Sequence, residues 1–122
     1  MAKGDNIQGR LIDFAVSIIR LTAKLTKSSA EKHVAKQILR SGTSPAPNYA
    51  EARSAESSND FIHKLKIALK ELNETKVWLQ IIIRSQMIPS NEFSELQNEC
   101  DELCRIINAS VSTAMKHRKN NQ

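Results

Sequence analysis

The chain has 122 residues, of which 40% are hydrophobic, 25% are charged and 4% are aromatic, and its formal net charge is +5. This length suffices for one domain with a core but not for two. Because aromatic, glycine and proline residues are few, the composition does not favour an all-β fold. No run approaches the roughly 20 apolar residues of a membrane-spanning helix, and no apolar signal region opens the chain. We therefore expect one soluble, cytoplasmic domain over residues 1–122, without a membrane partner.

The first helix is predicted from about Asn6 to Thr26, with Asp5 as its amino-terminal cap. Its apolar residues follow at steps of four and three, the spacing of helices that pack in a bundle. They are Ile7, Leu11, Phe14, Ile18, Leu21 and Leu25. Four cations lie off this stripe, on the side that we expect to face solvent: Arg10, Arg20, Lys24 and Lys27.

The second helix is predicted to begin after Ser28, because Ser28 and Glu31 have the spacing of a capping box. Its first apolar stripe consists of Val34, Ile38 and Leu39. This stripe is followed by the glycine and the two prolines of the middle of the chain.

Proline inside a helix loses a hydrogen bond and clashes with the preceding turn, but it is tolerated in a first turn. Ser44 can therefore cap a new segment with Pro45 and Pro47 in its first turn. The second helix is predicted to be kinked or broken between Gly42 and Pro47 and to resume through about Ser54.

The third helix is predicted from the cap candidates Ser57 and Ser58 to about Ser85. Its seam again steps by four and three, through Phe61, Leu65, Ala68, Leu72, Thr75, Leu79 and Ile82. Further apolar residues point well away from this seam, namely Ile67, Trp78 and Ile81. A helix that is apolar nearly all round is normally buried nearly all round. These three residues therefore predict an oligomer interface; the alternative is that residues 41–58 cover them within one subunit.

The fourth helix is predicted from about Glu92 to Lys116, after the cap candidates Ser90 and Asn91. Its seam consists of Phe93, Leu96, Cys100, Leu103 and Ile107, and Val111 and Ala114 extend it. Cysteines four apart on one helix are poorly placed for a disulfide. We expect Cys100 and Cys104 to be small buried residues with reduced thiols. The basic tail from about residue 116 is expected to fray.

Four helices of similar length, joined by three short connections, make consecutive helices antiparallel neighbours. The sequence therefore predicts an all-α fold, an antiparallel up-down-up-down four-helix bundle with a kinked or broken second helix.

Motifs for catalysis or metal binding are absent from the sequence. Metal sites in helical bundles use a Glu-x-x-His spacing on each of two helices, and the nearest match, Asp60 with His63, occurs once. Two cysteines fall short of a zinc set, and neither a phosphate-binding glycine loop nor a nucleophile elbow is present. We expect no enzyme activity, no metal and no cofactor.

Two carboxylates lie on a largely apolar helix, and a bundle-facing carboxylate needs a partner. We interpret them as part of a structural polar network rather than a functional pocket. The predicted members are Glu71, Glu74, Arg40, Asn48, Tyr49 and Arg53.

Three stretches resemble the family of 23S rRNA-intervening sequence proteins. They are QILRSGTSPAPNYAEA, SNDFIHKLKIALKELNETKVWL and a last helix of ELxxxxxELxxII character from Glu95 to Ile107. Pro45 and Pro47 stand where the family often has Gly or Ala. The family is similar to the accessory proteins of diversity-generating retroelements, pentameric bundles with basic surfaces that work with a reverse transcriptase and nucleic acid. The resemblance implies a small bundle, a homo-oligomer with a five-fold ring as first choice, and a nucleic-acid or nucleoprotein partner.

The net positive charge and this resemblance predict a protein that binds RNA or DNA through contacts to backbone phosphates. The candidate contacts are Arg10, Arg20, Lys24, Lys27, Lys116, Arg118 and Lys119. The alternative is a structural or protein-interaction bundle whose basic residues form an ordinary solvated face.

Overall fold

The fold is taken from a computed structural model of the chain, which describes residues 3–120. Its elements are α1 (Lys3–Thr22), α2 (Ser29–Thr43), α3 (Pro45–Arg53), α4 (Ser58–Arg84), a 3-10 turn (Ser90–Glu92) and α5 (Ser94–Asn120). Residues 3–120 contain no β-strand. None of the helices in this range combines the length and the apolar composition needed to span a bilayer.

The helices form the predicted four-helix bundle. Only Ser44 separates α2 from α3, and together they make the bent second helix. α1 packs against α2, α3 and α5, and α4 packs against the same three helices. α1 and α4 therefore occupy diagonally opposite corners, so their outer faces point in opposite directions.

The predicted seams form the core. The largest side chains with almost no exposed surface are Leu11, Phe14, Ile18, Leu25, Ile38, Leu65, Leu72, Thr75, Leu79, Ile82, Leu103 and Ile107. Burial of each apolar side chain of this size contributes about 1.5–3 kcal/mol to folding. Cys100 and Cys104 are buried free thiols, as the sequence predicts.

Two predicted helix starts are confirmed by their caps. The Ser28 hydroxyl accepts a hydrogen bond from the Glu31 amide at 3.0 Å, and the Ser57 hydroxyl accepts one from the Asp60 amide at 3.1 Å. Each cap satisfies one of the amides that lack a partner in the first turn of a helix.

The predicted break in the second helix is confirmed, but Ser44 does not cap α3. Its backbone is helical and its side chain accepts no hydrogen bond from the first-turn amides; instead the Asn48 side-chain amide donates to the Ser44 hydroxyl at 2.9 Å. Pro45 and Pro47 have no amide hydrogens with which to continue the helical ladder from α2, and their rings crowd the preceding carbonyls. The chain therefore bends without leaving the helical region at Ser44.

Four predicted boundaries, both ends of α1 and both ends of α5, are wrong by two to four residues. α1 begins at Lys3 and ends at Thr22, so Asp5 lies inside its first turn, where it pairs with Arg53 rather than capping the helix. Ser90 opens the 3-10 turn before α5 instead of capping α5. α5 then continues through Asn120, past the predicted end at Lys116.

Gly42 allows α1 and α2 to approach closely at the middle of the bundle. A Cβ atom on Gly42 would lie 2.7 Å and 2.8 Å from the two γ carbons of Ile18. Ile18 is fully buried, and its β-branched side chain has little rotamer freedom in a helix. The contact therefore requires glycine for space rather than for backbone freedom.

We expect Gly42→Ala to lower the free energy of unfolding by roughly 1–3 kcal/mol, the usual cost of overpacking a core. Gly9→Ala is the matched control, because Gly9 lies within α1 and an added Cβ meets nothing within 4 Å there. That control should gain up to about 1 kcal/mol from helix propensity. Urea unfolding of both variants is the measurement, and equal effects would exclude the contact with Ile18 as the cause.

The last turn of α5 is held against the first turn of α4. Arg118 donates from Nη1 to the side-chain oxygen of Asn59 at 2.9 Å. We expect Asn59→Ala to speed amide hydrogen exchange of residues 116–120 by roughly two- to tenfold, the equivalent of one hydrogen bond. Asn73→Ala, at another exposed asparagine of α4, is the control. Unchanged exchange in the Asn59 variant would show that α5 does not need this bond.

Candidate nucleic-acid interface

Two of the four phosphate contacts predicted in and after α1 are already bound to carboxylates. The Arg10 guanidinium lies 2.6 Å from Glu99 and 3.2 Å from Glu102 of α5, and Lys24 Nζ lies 2.9 Å from Glu92 of the 3-10 turn. The hydrogen bond to Glu99 raises the pKa of Arg10 further above its ordinary value. Arg10 therefore holds α1 against the acidic half of α5, Lys24 joins the end of α1 to the 3-10 turn, and the expectation that they simply face solvent is corrected.

The other two predicted contacts of this set, Arg20 and Lys27, are exposed. Arg20 lines a surface groove of about 440 Å³ between α1 and α5. Four carboxylates line the same groove: Asp13, Glu92, Glu95 and Glu99. This edge of the bundle is therefore of mixed charge, and a nucleic-acid phosphate would meet carboxylates beside the cations.

The predicted contacts of the tail come together where α5 ends beside the start of α4. Lys116, Arg118 and Lys119 line a shallow groove of about 450 Å³ with Asn59 and Met115. Within residues 3–120, no carboxylate lines this groove. α5 continues through the three cations, and the hydrogen bond between Arg118 and Asn59 joins its last turn to α4. The expected fraying of this tail stays a prediction.

Three further cations extend this groove along α4 and α5, and sequence reasoning missed them. Lys76 Nζ lies 3.0 Å from an oxygen of Asp101; this pair and the contact between Asn59 and Arg118 fix the antiparallel register of the two helices. In that register Lys66 and Lys70, one turn apart on α4, lie level with residues 107–111 of α5. Arg105 is exposed on α5 about one turn further along. The four-residue spacing of Lys66 and Lys70, off the predicted seam of their helix, could have indicated this surface from the sequence.

We name the six cations of these two helices the basic surface: Lys66, Lys70, Arg105, Lys116, Arg118 and Lys119. Within residues 3–120, none of the six forms an ion pair. Six unpaired cations thus lie on α4 and α5, next to a groove that can admit a phosphate chain. Other cations without an ion pair within residues 3–120 lie elsewhere on the bundle: Arg20, Lys27, Lys32, Lys36 and Arg84.

The predicted polar network forms only in part. Arg40 donates to Glu71 at 3.0 Å and also to Glu74, and the Trp78 indole donates to Glu74 at 3.0 Å. This cluster joins α2 to α4 at the edge of the bundle, where the Arg40 side chain is half exposed. Its effect is therefore to fix the position of α2 on α4 rather than to create an enclosed pocket.

The other three predicted members lie elsewhere. Asn48 donates within its own helix to Ser44, and Arg53 pairs with Asp5 of α1. Tyr49 is buried, and that burial raises the pKa of its phenol. The sequence spacing placed all three near α4, but Arg53 contacts α1, Tyr49 lines a groove with residues of α1, α4 and α5, and Asn48 bonds to Ser44 one turn before it.

The three residues of the predicted oligomer interface on α4 differ in their exposure. Ile67 and Trp78 are half-buried, and Trp78 packs its edge against His33 of α2 with 6.1 Å between ring centroids. Ile81 remains 38% exposed, and its neighbour Val77 is 53% exposed. Trp78 is therefore covered by His33 of α2, which lies outside residues 41–58.

The titratable groups of residues 3–120 do not assemble into a reactive site. No three side chains of His, Cys, Asp or Glu converge there as metal ligands, and both Asp60 and His63 are exposed. The hydrogen bond with Cys104 and burial raise the pKa of the Cys100 thiol. A protonated, buried thiol such as that of Cys100 is a poor nucleophile and a poor metal ligand, whereas the same hydrogen bond lowers the pKa of the Cys104 thiol.

Comparison with known proteins agrees with this bundle. A family model described as 23S rRNA-intervening sequence protein matches residues 6–109. A crystal structure of a protein of unknown function from the S23 ribosomal protein family of Bacteroides thetaiotaomicron is similar in fold and sequence, with a TM-score of 0.84 and 38% identity. The similarity covers 91% of this chain and 99% of that one. No curated protein matches. The chain therefore belongs to the family of 23S rRNA-intervening sequence proteins.

Proposed function

We propose that the protein binds RNA or DNA through backbone phosphates at the basic surface and catalyses no reaction. The observation that carries this proposal is the charge distribution. The basic surface gathers six cations that form no ion pair within the described residues, whereas Arg10 and Lys24 are bound by carboxylates and Arg20 lines a groove with four carboxylates. Phosphate contacts of lysine and arginine supply most of the affinity of non-specific nucleic-acid binding.

The tryptophan and the tyrosine of this protein are poorly placed for stacking on single-stranded bases. Its tryptophan, Trp78, is half-buried with its indole nitrogen bound to Glu74, and its tyrosine, Tyr49, is buried. Stacking on aromatic side chains is the usual means of holding splayed bases. The proposed binding therefore depends on phosphate position and on salt, with little dependence on sequence.

The proposal includes self-association. A homo-oligomer, with a five-fold ring as first choice, follows from the family resemblance and from the apolar side chains exposed on α1 and α4. The likeness to accessory proteins of diversity-generating retroelements supports a nucleoprotein as the partner. A cytoplasmic location is in keeping with two unpaired cysteines.

The second candidate function is a structural or protein-interaction bundle that binds no nucleic acid. The same exposed apolar side chains favour it, because patches of this kind mark protein interfaces. The two candidates differ in what the basic surface does, so charge reversal on that surface distinguishes them.

We expect the triple variant Lys66→Glu, Lys70→Glu, Lys116→Glu to lose at least about tenfold in affinity for a labelled duplex. Its salt dependence should also weaken, because each lost phosphate contact lowers the slope of log K against log salt by about 1. Fluorescence anisotropy over a salt series measures both quantities.

The control is the triple variant Arg20→Glu, Lys27→Glu, Lys32→Glu, which changes the net charge equally on exposed residues away from the basic surface. We expect a much smaller loss of affinity. Equal losses in the two variants would mean that only net charge matters. A wild-type protein that binds neither duplex nor single strand at low salt would favour the second candidate.

A further inference from the structure

We infer that the groove between the start of α1 and the carboxyl-terminal half of α5 binds a small, uncharged, planar heteroaromatic molecule that accepts a hydrogen bond from the Tyr49 hydroxyl. The groove has a volume of about 580 Å³, and pockets for small organic ligands measure roughly 300–1,000 Å³. Among the described residues, its lining includes none of the six cations of the basic surface. The inference therefore goes beyond nucleic-acid binding and does not depend on it.

The groove is narrow and mainly apolar. Four residues of α5 with short side chains form one wall: Ala109, Ser110, Thr113 and Ala114. Gly4 and Ile7 of α1 lie on the facing wall, and the rings of Tyr49 and Phe61 line the space between the two helices. Two facing helices with short side chains leave a slot rather than a round cavity. A planar ring fits such a slot and finds aromatic partners in it.

The Tyr49 hydroxyl is a buried polar group without a partner. Tyr49 is only 6% exposed, and within residues 3–120 its hydroxyl forms no hydrogen bond. It is not sealed from solvent either, so it opens onto the groove that Tyr49 lines. Tyrosine hydroxyls usually find a hydrogen-bond partner when they are buried, and a bound ligand would supply one here.

The chemistry of this hydroxyl determines which group the ligand must carry. Burial raises the pKa of the Tyr49 phenol, so the hydroxyl is protonated at neutral pH and can donate. The Ser110 hydroxyl on the opposite wall already donates to the Ile106 carbonyl at 3.1 Å. The ligand therefore needs an acceptor that reaches Tyr49, such as a ring nitrogen.

The ion pairs of Arg10 limit the length and the charge of the ligand. Arg10 lines the groove, and its pair with Glu99 joins α1 to α5 and closes one end. Glu99 lines the neighbouring groove that contains Arg20, so this ion pair separates the two grooves. A peptide or a nucleic-acid strand would need an open channel. Because Glu99 and Glu102 already neutralise Arg10, the groove does not call for an anion.

The test compares two probes of nearly the same shape, quinoline and naphthalene, on the wild type and on Tyr49→Phe. Quinoline is uncharged at neutral pH and has a ring nitrogen that accepts a hydrogen bond, whereas naphthalene has carbon at that position. We expect the wild type to bind quinoline roughly two- to tenfold more tightly, the equivalent of one hydrogen bond. Tyr49→Phe should lose this preference and bind naphthalene as the wild type does, because the ring remains. Chemical-shift titration of the backbone amides measures each Kd and shows which residues the probe contacts.

Two further variants locate the site. Ala109→Leu adds bulk at an exposed position of the α5 wall, so it should retain the fold and weaken the binding of both probes. Ala30→Leu is the matched control at an exposed alanine of α2, outside the groove, and should change neither Kd. Urea unfolding checks the fold, and we expect Tyr49→Phe to be as stable as the wild type because no hydrogen bond is lost within residues 3–120.

The outcomes that would overturn the inference are distinct. A wild type that binds neither probe, or amide shifts confined to residues outside the groove, would refute the site. Equal affinity of the wild type for the two probes, or a preference for quinoline that persists in Tyr49→Phe, would refute the role of the hydroxyl and with it the proposed class of ligand.

Discussion

Two adjacent buried residues of α2 fix the centre of the bundle. Gly42 brings α2 against Ile18 of α1 with no room for a methyl group. On the other side of the same helix, the hydroxyls of Ser41 and Thr75 of α4 are hydrogen-bonded at 2.8 Å, and both residues are fully buried. A buried hydroxyl pair tolerates little displacement, because separating it leaves polar groups unsatisfied. One short segment therefore positions α1 and α4, the two diagonal helices, relative to each other.

The proline bend follows immediately after this fixed point, and it determines how α3 packs against the neighbouring helices. Beyond the bend, Arg53 pairs with Asp5, and Gln8 of α1 donates to the Ala46 carbonyl at 2.9 Å. α3 packs against both α4 and α1. Within the described residues, the cations of α4 have no ion pair with a carboxylate of α3 except at Lys64, which lies 3.5 Å from Glu51.

The sequence predicted the helices well, since their seams repeat without a slip and Ser28 and Ser57 are local caps. It could not predict which charges neutralise each other. Arg10 and Glu99 are far apart in sequence, and only the packing of α1 on α5 joins them. The same limit explains why Asn48 and Tyr49 were placed in the wrong network: their partners depend on the direction of the bend, not on helical spacing. The apolar Ile12, Val16 and Ile19 of α1, which are exposed in the fold, were visible in the sequence, but the excess of apolar residues on α4 placed the predicted interface on that helix alone.

The two proposed properties, self-association and phosphate binding, reinforce each other where both hold. A single basic surface of six cations offers few phosphate contacts, and each contact is weakened by salt at physiological ionic strength. In the proposed oligomer, the second surface meets a nucleic acid that the first already holds, so its binding becomes intramolecular. The overall affinity then rises by far more than the number of copies, without any specific contact to a base. On this proposal, a protein whose tryptophan is half-buried and whose tyrosine is buried in its own bundle holds a polyanion by repeating one weak phosphate-binding surface.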